Sequence, residues 1–586
     1  MMIIEAIQEI VAKALGGDTA DVTVPEGDPV KFGHFSTNVA LRRAKAEGKT
    51  PMEFAAALAE KIAHAAPGGF FEKVEAAAPG FVNMWVSADA WRAALGRMVT
   101  AERGAPDGAG FGGRPMAGKV IMVEYTDPNP FKLFHIGHLM SNVIGESFVR
   151  LYEAQGAKVI RANYQGDIGL HVAKAVWGMA KLAANMPKER DAIDLKMAFL
   201  GEAYARGAEA YEHEQELEAR GEIEALNEEL YAKRNPEVNA RYATGRAWSL
   251  EYFETMYARL GTKFDRYYFE SDLAAAALAA ANAAREKGTF KESDGATVFP
   301  GEDYGLHTRV FVNSRGLPTY EAKELALNKK KFEEYPLDRS VIVTGNEVND
   351  YFRVLLKVME LTLPPEVAAR TRHVGHGMLR LPTGKMSSRT GKVITADALL
   401  AQVKERLRGK VSERSTLPDG EREAATEAIA VGAVKYSILK QNPGADIVFD
   451  FEKSLSFEGD AGPYLQYAYA RLRSILRKAD EEAGASVSAS ASDFTQIGTE
   501  EELALVRKLA EFPMVAAHAA DRLAPSAMAA YLYKLAVAAN KFYETTPILK
   551  DDSAPRRTAR LALVAVTAET LRAAFGTLGI PVLERI

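Results

Sequence analysis

The chain has 586 residues, 47% of them hydrophobic and 26% charged, which excludes a disordered chain and predicts three or four globular domains at roughly 100–200 residues each. There is no cysteine, which excludes disulfides, a cysteine nucleophile and cysteine-ligated zinc, and no apolar run is long enough to cross a bilayer. A formal net charge of −5 does not suit a dedicated non-specific nucleic-acid binder, which is normally basic, but it leaves room for local basic patches.

The opening residues MMIIEAIQEIVAKAL space their apolar side chains as a helix does. They carry acids early and lack the basic start and small-residue cleavage site of a signal peptide, so a cytoplasmic location is expected. A second helix is expected over TPMEFAAALAEKIAHAA, with Thr50 as N-cap and Pro51 in the first turn. GFVNMWVS alternates like a strand. The Gly/Pro-rich run GAPDGAGFGGRPMAG reads as a linker. Its Gly108, Gly110 and Gly113 have dinucleotide-motif spacing but neither the preceding strand nor the following helix that the motif requires.

KVIMVEYT, HIGHLMSNVIGESFVRLYEAQG and KVIRANYQGD follow as strand, helix and strand, a βαβ unit that implies a parallel sheet with ligands beyond the C-terminal strand ends. The stretch 181–300 is rich in Ala, Glu and Lys and is expected to be a mostly helical insertion with solvated charged faces. Strand signals return in TRVFVNS and RSVIVTG, and from about 400 onward the pattern is helical.

Two constellations carry chemistry. His135-Ile136-Gly137-His138 sits where a strand has ended and a helix begins. The three-residue spacing points both histidines to one side, the helix N-terminus adds free N–H groups, and Gly137 admits a ligand close to the backbone. That combination suits a triphosphate, with histidine N–H groups donating to a phosphoryl group as its charge builds. Downstream, Lys385-Met386-Ser387-Ser388-Arg389-Thr390-Gly391 is a glycine-flanked basic loop of the kind that closes over polyphosphate.

The two motifs in this order resemble the class I aminoacyl-tRNA synthetases. The run Val123-Glu124-Tyr125-Thr126-Asp127-Pro128-Asn129 before the first motif, and Pro318-Thr319-Tyr320-Glu321-Ala322-Lys323-Glu324, resemble the arginyl branch of that class. So do Gly33–Ala40 and Pro79-Gly80-Phe81-Val82-Asn83 near the start, Gly462–Arg471 near the end, and the terminal Leu578–Ile586.

The resemblance implies a multidomain α/β protein: an N-terminal α/β appended domain over 1–103, a linker over 104–118, a Rossmann-like parallel-sheet catalytic domain over 119–400, and an all-α anticodon-binding bundle over 401–586. It implies an arginine–tRNA ligase in which the arginine carboxylate attacks the α-phosphorus of ATP, pyrophosphate leaves, and the arginyl group passes to the 3′ end of tRNA(Arg). Catalysis would fall to His135, His138, Lys132 and Lys385. ATP would be held by Gly137, His138, Met378, Lys385, Ser387 and Ser388, and arginine by Glu124, Asn129, Tyr320 and Glu324. Phe81, Asn83, Tyr464 and Tyr467 would meet tRNA, although a strand residue and two helix tyrosines also serve ordinary packing.

Three departures from the family pattern stand out. Glu324 falls where aspartate is common, Glu347 or Val348 falls where glutamine is common, and Ile586 replaces a terminal methionine. Both Lys132 and Lys385 are present where many relatives keep one. ATP is expected with Mg2+, with no tightly bound metal or organic cofactor, no membrane partner, a monomeric state and no editing. The resemblance also implies that tRNA must bind before arginine is activated. A cysteinyl enzyme would need zinc-binding cysteines, a simple nucleotidyltransferase would lack both appended RNA domains, and a binding-only paralogue would be expected to have lost one of the two motifs.

Overall fold

The structure, a computed structural model, describes residues 3–18, 21–25, 29–102, 114–213, 217–381, 394–483 and 494–586. At the N-terminal side, Phe81–Val86 is the middle strand of an antiparallel sheet between Phe35–Thr37 and Phe71–Ala77. Helix Ile3–Ala14 buries Ile3, Ile4, Ile7, Ile10 and Val11 and packs on helix Pro51–Ala65. The second helix starts as its sequence predicts. Thr50 Oγ1 accepts from the Glu53 N–H while Glu53 Oε2 accepts from the Thr50 N–H, a capping box. Helix Ala88–Glu102 then packs on Glu500–Arg522 near the other end of the chain, and Arg92 Nε donates to the Ile497 carbonyl at 2.6 Å.

The central sheet has five parallel strands, in the order Thr371–His376, Arg339–Gly345, Val120–Glu124, Lys158–Gln165, Arg266–Phe269. The chain starts at Val120–Glu124, builds outward one way, then returns to Arg339–Gly345 on the other flank. The switch therefore lies at the C-terminal ends of these two central strands, where open parallel sheets bind ligands. Helix Ile136–Ala154 runs from that switch and is buried along almost its whole length, since it is covered by the sheet and by the C-terminal helices.

The helical insertion consists of Leu170–Lys181, Ile193–Glu212, Leu217–Ala232 and Pro236–Leu260. Two expectations need correction. Strand structure returns earlier than TRVFVNS, because Arg266–Phe269 is already an edge strand of the parallel sheet. Only four residues long, it is too short to show a period. TRVFVNS supplies Arg309–Val312 not to the parallel sheet but to a separate antiparallel one with Lys291–Ser293 and Ala296–Phe299.

The C-terminal part is helical throughout its long elements: Ala396–Arg414, Asp419–Leu439, Gly462–Ala483, Glu500–Arg522, Pro525–Thr545 and Ala554–Thr577. The first of these runs across residue 400. Among the described residues, no helix is long and apolar enough to cross a membrane.

Candidate active site

The segment leaving strand Val120–Glu124 is bent by three non-glycine residues with positive φ: Thr126 at 78°, Asp127 at 42° and Phe131 at 68°. Such residues cost about 1–3 kcal/mol each and persist only where the surroundings hold them. Here the Thr126 N–H donates to Ser141 Oγ at 2.8 Å, Asn142 Nδ2 donates to Thr126 Oγ1 at 3.0 Å, and the Tyr164 N–H donates to Asp127 Oδ1 at 2.8 Å. The Phe131 N–H donates to Ser249 Oγ from the insertion at 2.8 Å. The bend turns Glu124, Asp127 and Asn129 into one cavity of about 570 Å³.

The histidine motif begins the next helix, with His135 as its N-cap. His135 Nδ1 accepts from the backbone N–H groups of Gly137 and His138 at 3.1 and 3.3 Å, and His138 Nδ1 accepts from the His135 N–H at 3.3 Å. A ring nitrogen that accepts carries no proton, so both neutral rings carry theirs on Nε2. The rings stack with centroids 3.6 Å apart. Burial, its stacked partner and Lys132 hold His138 well below the usual histidine range, and burial and Lys132 lower His135. Two neutral Nε2–H donors thus stand at a helix N-terminus. Gly137 is needed for this stack, since a Cβ there would lie 2.9 Å from His135 Cε1.

The opposite wall is acidic. Glu124, Asp127, Glu270, Glu321, Glu324 and Glu347 all line the cavity. Glu124 and Lys331 are almost fully buried, with Oε2 and Nζ 2.7 Å apart, an ion pair whose angles fall outside hydrogen-bond limits. Glu270 forms a buried ion pair with Lys323, whose ammonium also donates to Tyr231 Oη at 3.4 Å. Glu324 accepts from Asn328 Nδ2 at 3.1 Å. Burial, then repulsion from Glu124, pushes Glu324 up to about 8 and Asp127 well above the carboxylate range. Burial raises Glu270 to about 7 in spite of Lys323. Glu124 and Glu270 each face a buried ammonium group, whereas Glu324 and Asp127 form no ion pair among the described residues and are pushed toward their protonated forms.

The expected arginine set comes together. Glu124, Asn129, Tyr320 and Glu324 all line the cavity, as do His135, Gly137 and His138. Glu347 and Val348 both line it too. Tyr320, just over half exposed, opens helix Tyr320–Glu334 at the rim. Glu124 already faces a cation of the protein itself, Lys331.

Lys132 is not among the lining residues. Its ammonium lies 5.1 Å from the Tyr204 ring of the insertion, close enough to the two histidines to lower both. Met378 also stands apart, half exposed, with its N–H donating to Asp446 Oδ1 at 2.8 Å. Lys385, Ser387 and Ser388 lie outside the described residues. The chain just after them is pinned beside the histidines, because the Ile136 N–H donates to the Ile394 carbonyl at 3.1 Å. Sequence reasoning gave no role to Asp127, Glu270, Lys323 or Lys331. Asp127 and Lys323 stand inside the two quoted runs, but Lys331 has no signal beyond helical charge.

A second cavity of about 520 Å³ lies in the C-terminal helices, lined by Tyr464 and Tyr467 with Arg414, Phe457, Arg471 and Lys541. The Arg471 guanidinium lies 5.1 Å from the Tyr467 ring and 5.4 Å from Tyr543, and Asn540 Nδ2 donates to Tyr464 Oη at 2.8 Å. An arginine beside two tyrosine rings suits unpaired bases, which stack on such groups. At the N-terminal side Phe81 is half-buried. Asn83 is turned inward, with Oδ1 accepting from Ser36 Oγ at 2.8 Å.

Comparison with known proteins agrees along the chain. Residues 112–451 match the family model for the tRNA synthetases class I (R) catalytic domain, 465–586 the DALR anticodon binding domain, and 1–86 the arginyl tRNA synthetase N-terminal domain. The chain is 32% identical to an arginine–tRNA ligase of Treponema denticola over 80% of each chain. It is 30% identical to one of Clostridium acetobutylicum over 90% of this chain and 91% of that one. Among solved structures it is similar to Thermus thermophilus arginyl-tRNA synthetase, with a TM-score of 0.81 and 26% identity over the whole of both chains.

Proposed function

The chain belongs to the class I arginyl-tRNA synthetases, and from that premise we propose how its residues divide the work of charging tRNA with arginine. The substrates are L-arginine, ATP and tRNA(Arg). An arginine carboxylate oxygen attacks the α-phosphorus, the bond to the bridging oxygen breaks, and pyrophosphate leaves. A hydroxyl of the terminal adenosine then attacks the arginyl carbonyl and AMP leaves.

The observation that carries the arginine reading is that two carboxyl groups of the cavity, Glu324 and Asp127, have no ion-pair partner among the described residues and stand beside the ion-paired Glu124 and Glu270, so that a bound cation would ionise them. A guanidinium supplies that charge and offers planar donors to more than one carboxylate at once. Glu124 and Glu324 take the guanidinium, Tyr320 closes the rim, and Asn129 holds the α-amino or carboxylate end. His135 and His138 donate their Nε2–H groups to the phosphoryl oxygens as charge develops, with no proton to lose first. Lys132 and Lys385 neutralise the leaving pyrophosphate. Gly137, Met378, Ser387 and Ser388 complete the nucleotide contacts, and Mg2+ enters with ATP.

For the RNA, Tyr464 and Tyr467 read the anticodon side, and Phe81 meets the body of the tRNA, while Asn83, turned inward to Ser36, supports the strand and makes no RNA contact itself. The enzyme works as a monomer in the cytoplasm. ATP–pyrophosphate exchange with each amino acid in turn, with and without tRNA, tests this reading. Exchange that follows arginine alone and rises with tRNA supports it, and exchange with another amino acid overturns it.

A further inference from the structure

One buried lysine lines neither cavity. Lys435, on helix Asp419–Leu439, is 2% exposed, and its Nζ donates to the carbonyls of Leu260 and Gly579 at 2.6 Å each. Leu260 ends helix Pro236–Leu260 of the catalytic insertion. Gly579 follows helix Ala554–Thr577, within the stretch that matches the anticodon-binding model. The last carbonyls of a helix lack partners within it and form the negative end of its dipole. Leu260 supplies such an end, and Gly579 the turn just beyond the end of a helix from a different module, so that both meet at this one side chain.

The junction leads in both directions by hydrogen bonds. On the catalytic side, Arg150 Nη2 donates to the Gly261 carbonyl at 2.9 Å and its Nε to Glu146 Oε1 at 2.7 Å. Glu146 Oε2 accepts from Tyr125 Oη at 2.5 Å, and Tyr125 stands between Glu124 and Thr126 in the bent segment of the arginine cavity. On the other side, Gln466, fully buried between Tyr464 and Tyr467, donates Nε2 to the Pro581 carbonyl at 2.7 Å, two residues beyond Gly579. Gly579 has φ 63°, and a Cβ there would lie 3.1 Å from Arg150 Nε and 3.5 Å from Lys435 Nζ.

We propose that Lys435 is a positioning residue for arginine activation, clamping the ends of the two helices so that RNA on the Tyr464–Tyr467 face is felt at the Glu124–Asn129 segment. This inference rests on the proposed use of those two faces. It differs from that proposal by assigning the connection between them to a residue that touches neither substrate. A coupling of this kind is an energetic link between sites, and it is reciprocal in binding.

The test is Lys435→Met, which keeps the length of the stem and removes both donors. Active-site titration by adenylate burst counts competent molecules, so every rate is read per active enzyme. At saturating tRNA, arginine-dependent exchange should fall about tenfold per active site, with tRNA affinity within about twofold of wild type, as a lost coupling of ordinary size requires. Arginine should also bind tRNA-loaded variant less tightly than tRNA-loaded wild type. If Lys435 only stabilises the fold, the number of active sites falls and the rate per site does not, and the proposal is overturned. It is equally overturned if tRNA affinity drops while exchange at saturating tRNA is unchanged. Should Lys435→Met not fold, Gly579→Ala disturbs the same junction from the other side and is held to the same readouts. A double-mutant cycle of either variant with Tyr125→Phe should be non-additive, because all lie on one bonded chain. Wild-type enzyme without arginine-dependent exchange would instead overturn the function proposed above, so the two failures are told apart.

Discussion

Arginine affinity should depend on pH through Glu324. In the empty cavity this carboxyl is pushed up to about 8 by burial and by Glu124, so at neutral pH it is mostly protonated. A bound guanidinium favours the ionised form, so binding expels the proton. The sign follows: affinity rises with pH until the carboxyl is ionised without help, then levels off. At pH 6 only about 1% of molecules carry the ionised group, so Kd should be about a hundredfold weaker than at pH 9, close to 2.7 kcal/mol at 1.36 kcal/mol per unit. Asp127, raised by the same burial and by Glu124, steepens the slope if it also ionises. Calorimetric titration of arginine between pH 6 and 8, in buffers of different ionisation enthalpy, measures both affinity and protons released. Glu324→Gln should flatten the dependence while weakening binding at pH 8. An affinity constant across this range, or proton uptake on binding, would refute the reasoning.

Other expectations follow from named contacts. His138→Ala should slow activation by about 2–4 kcal/mol of barrier, as loss of a preorganised donor does, with arginine Kd nearly unchanged. Single-turnover exchange beside equilibrium binding checks this, and an effect confined to KM contradicts it. Lys331→Met should destabilise the empty protein by about 3–5 kcal/mol, because it strands the buried Glu124 carboxylate. Arginine should then raise the Tm of the variant more than that of wild type, and an equal rise would show that the substrate does not reach Glu124. Tyr464→Ala combined with Tyr467→Ala should weaken tRNA binding and tRNA-stimulated exchange together, which filter binding and exchange assays read separately.

The sequence was most legible where chemistry is local. The capping box at Thr50, the histidine helix and the strand before it follow from spacing and end signals within a few residues. The βαβ unit placed Glu124 and His135 at the same sheet edge, and the fold then brought Tyr320 and Glu324 to it from nearly two hundred residues away. Contacts across such separations leave no local pattern. Lys331 looks like one of three consecutive lysines on a solvated helix, yet it alone is fully buried and faces Glu124. Arg266–Phe269 joins the sheet because Lys158–Gln165 offers it a free edge, not because four residues announce a strand. Asn83 reads as a surface amide but its strand neighbour is Ser36, which draws it inward. Tyr464 and Tyr467, three apart on one helix, line one cavity, and Arg471 beside them was given no part by the sequence.

The central claim is that the acidic cavity reads a forked, planar cation, and a direct competition between arginine and lysine for charging of tRNA(Arg) tests it best. Lysine carries a point charge that leaves buried carboxylate oxygens unpaired, and sites built to hydrogen-bond a substrate group reject analogues lacking it by about 10⁴. The measured ratio of kcat/KM should therefore favour arginine by roughly that factor. Comparable charging with lysine would contradict the account.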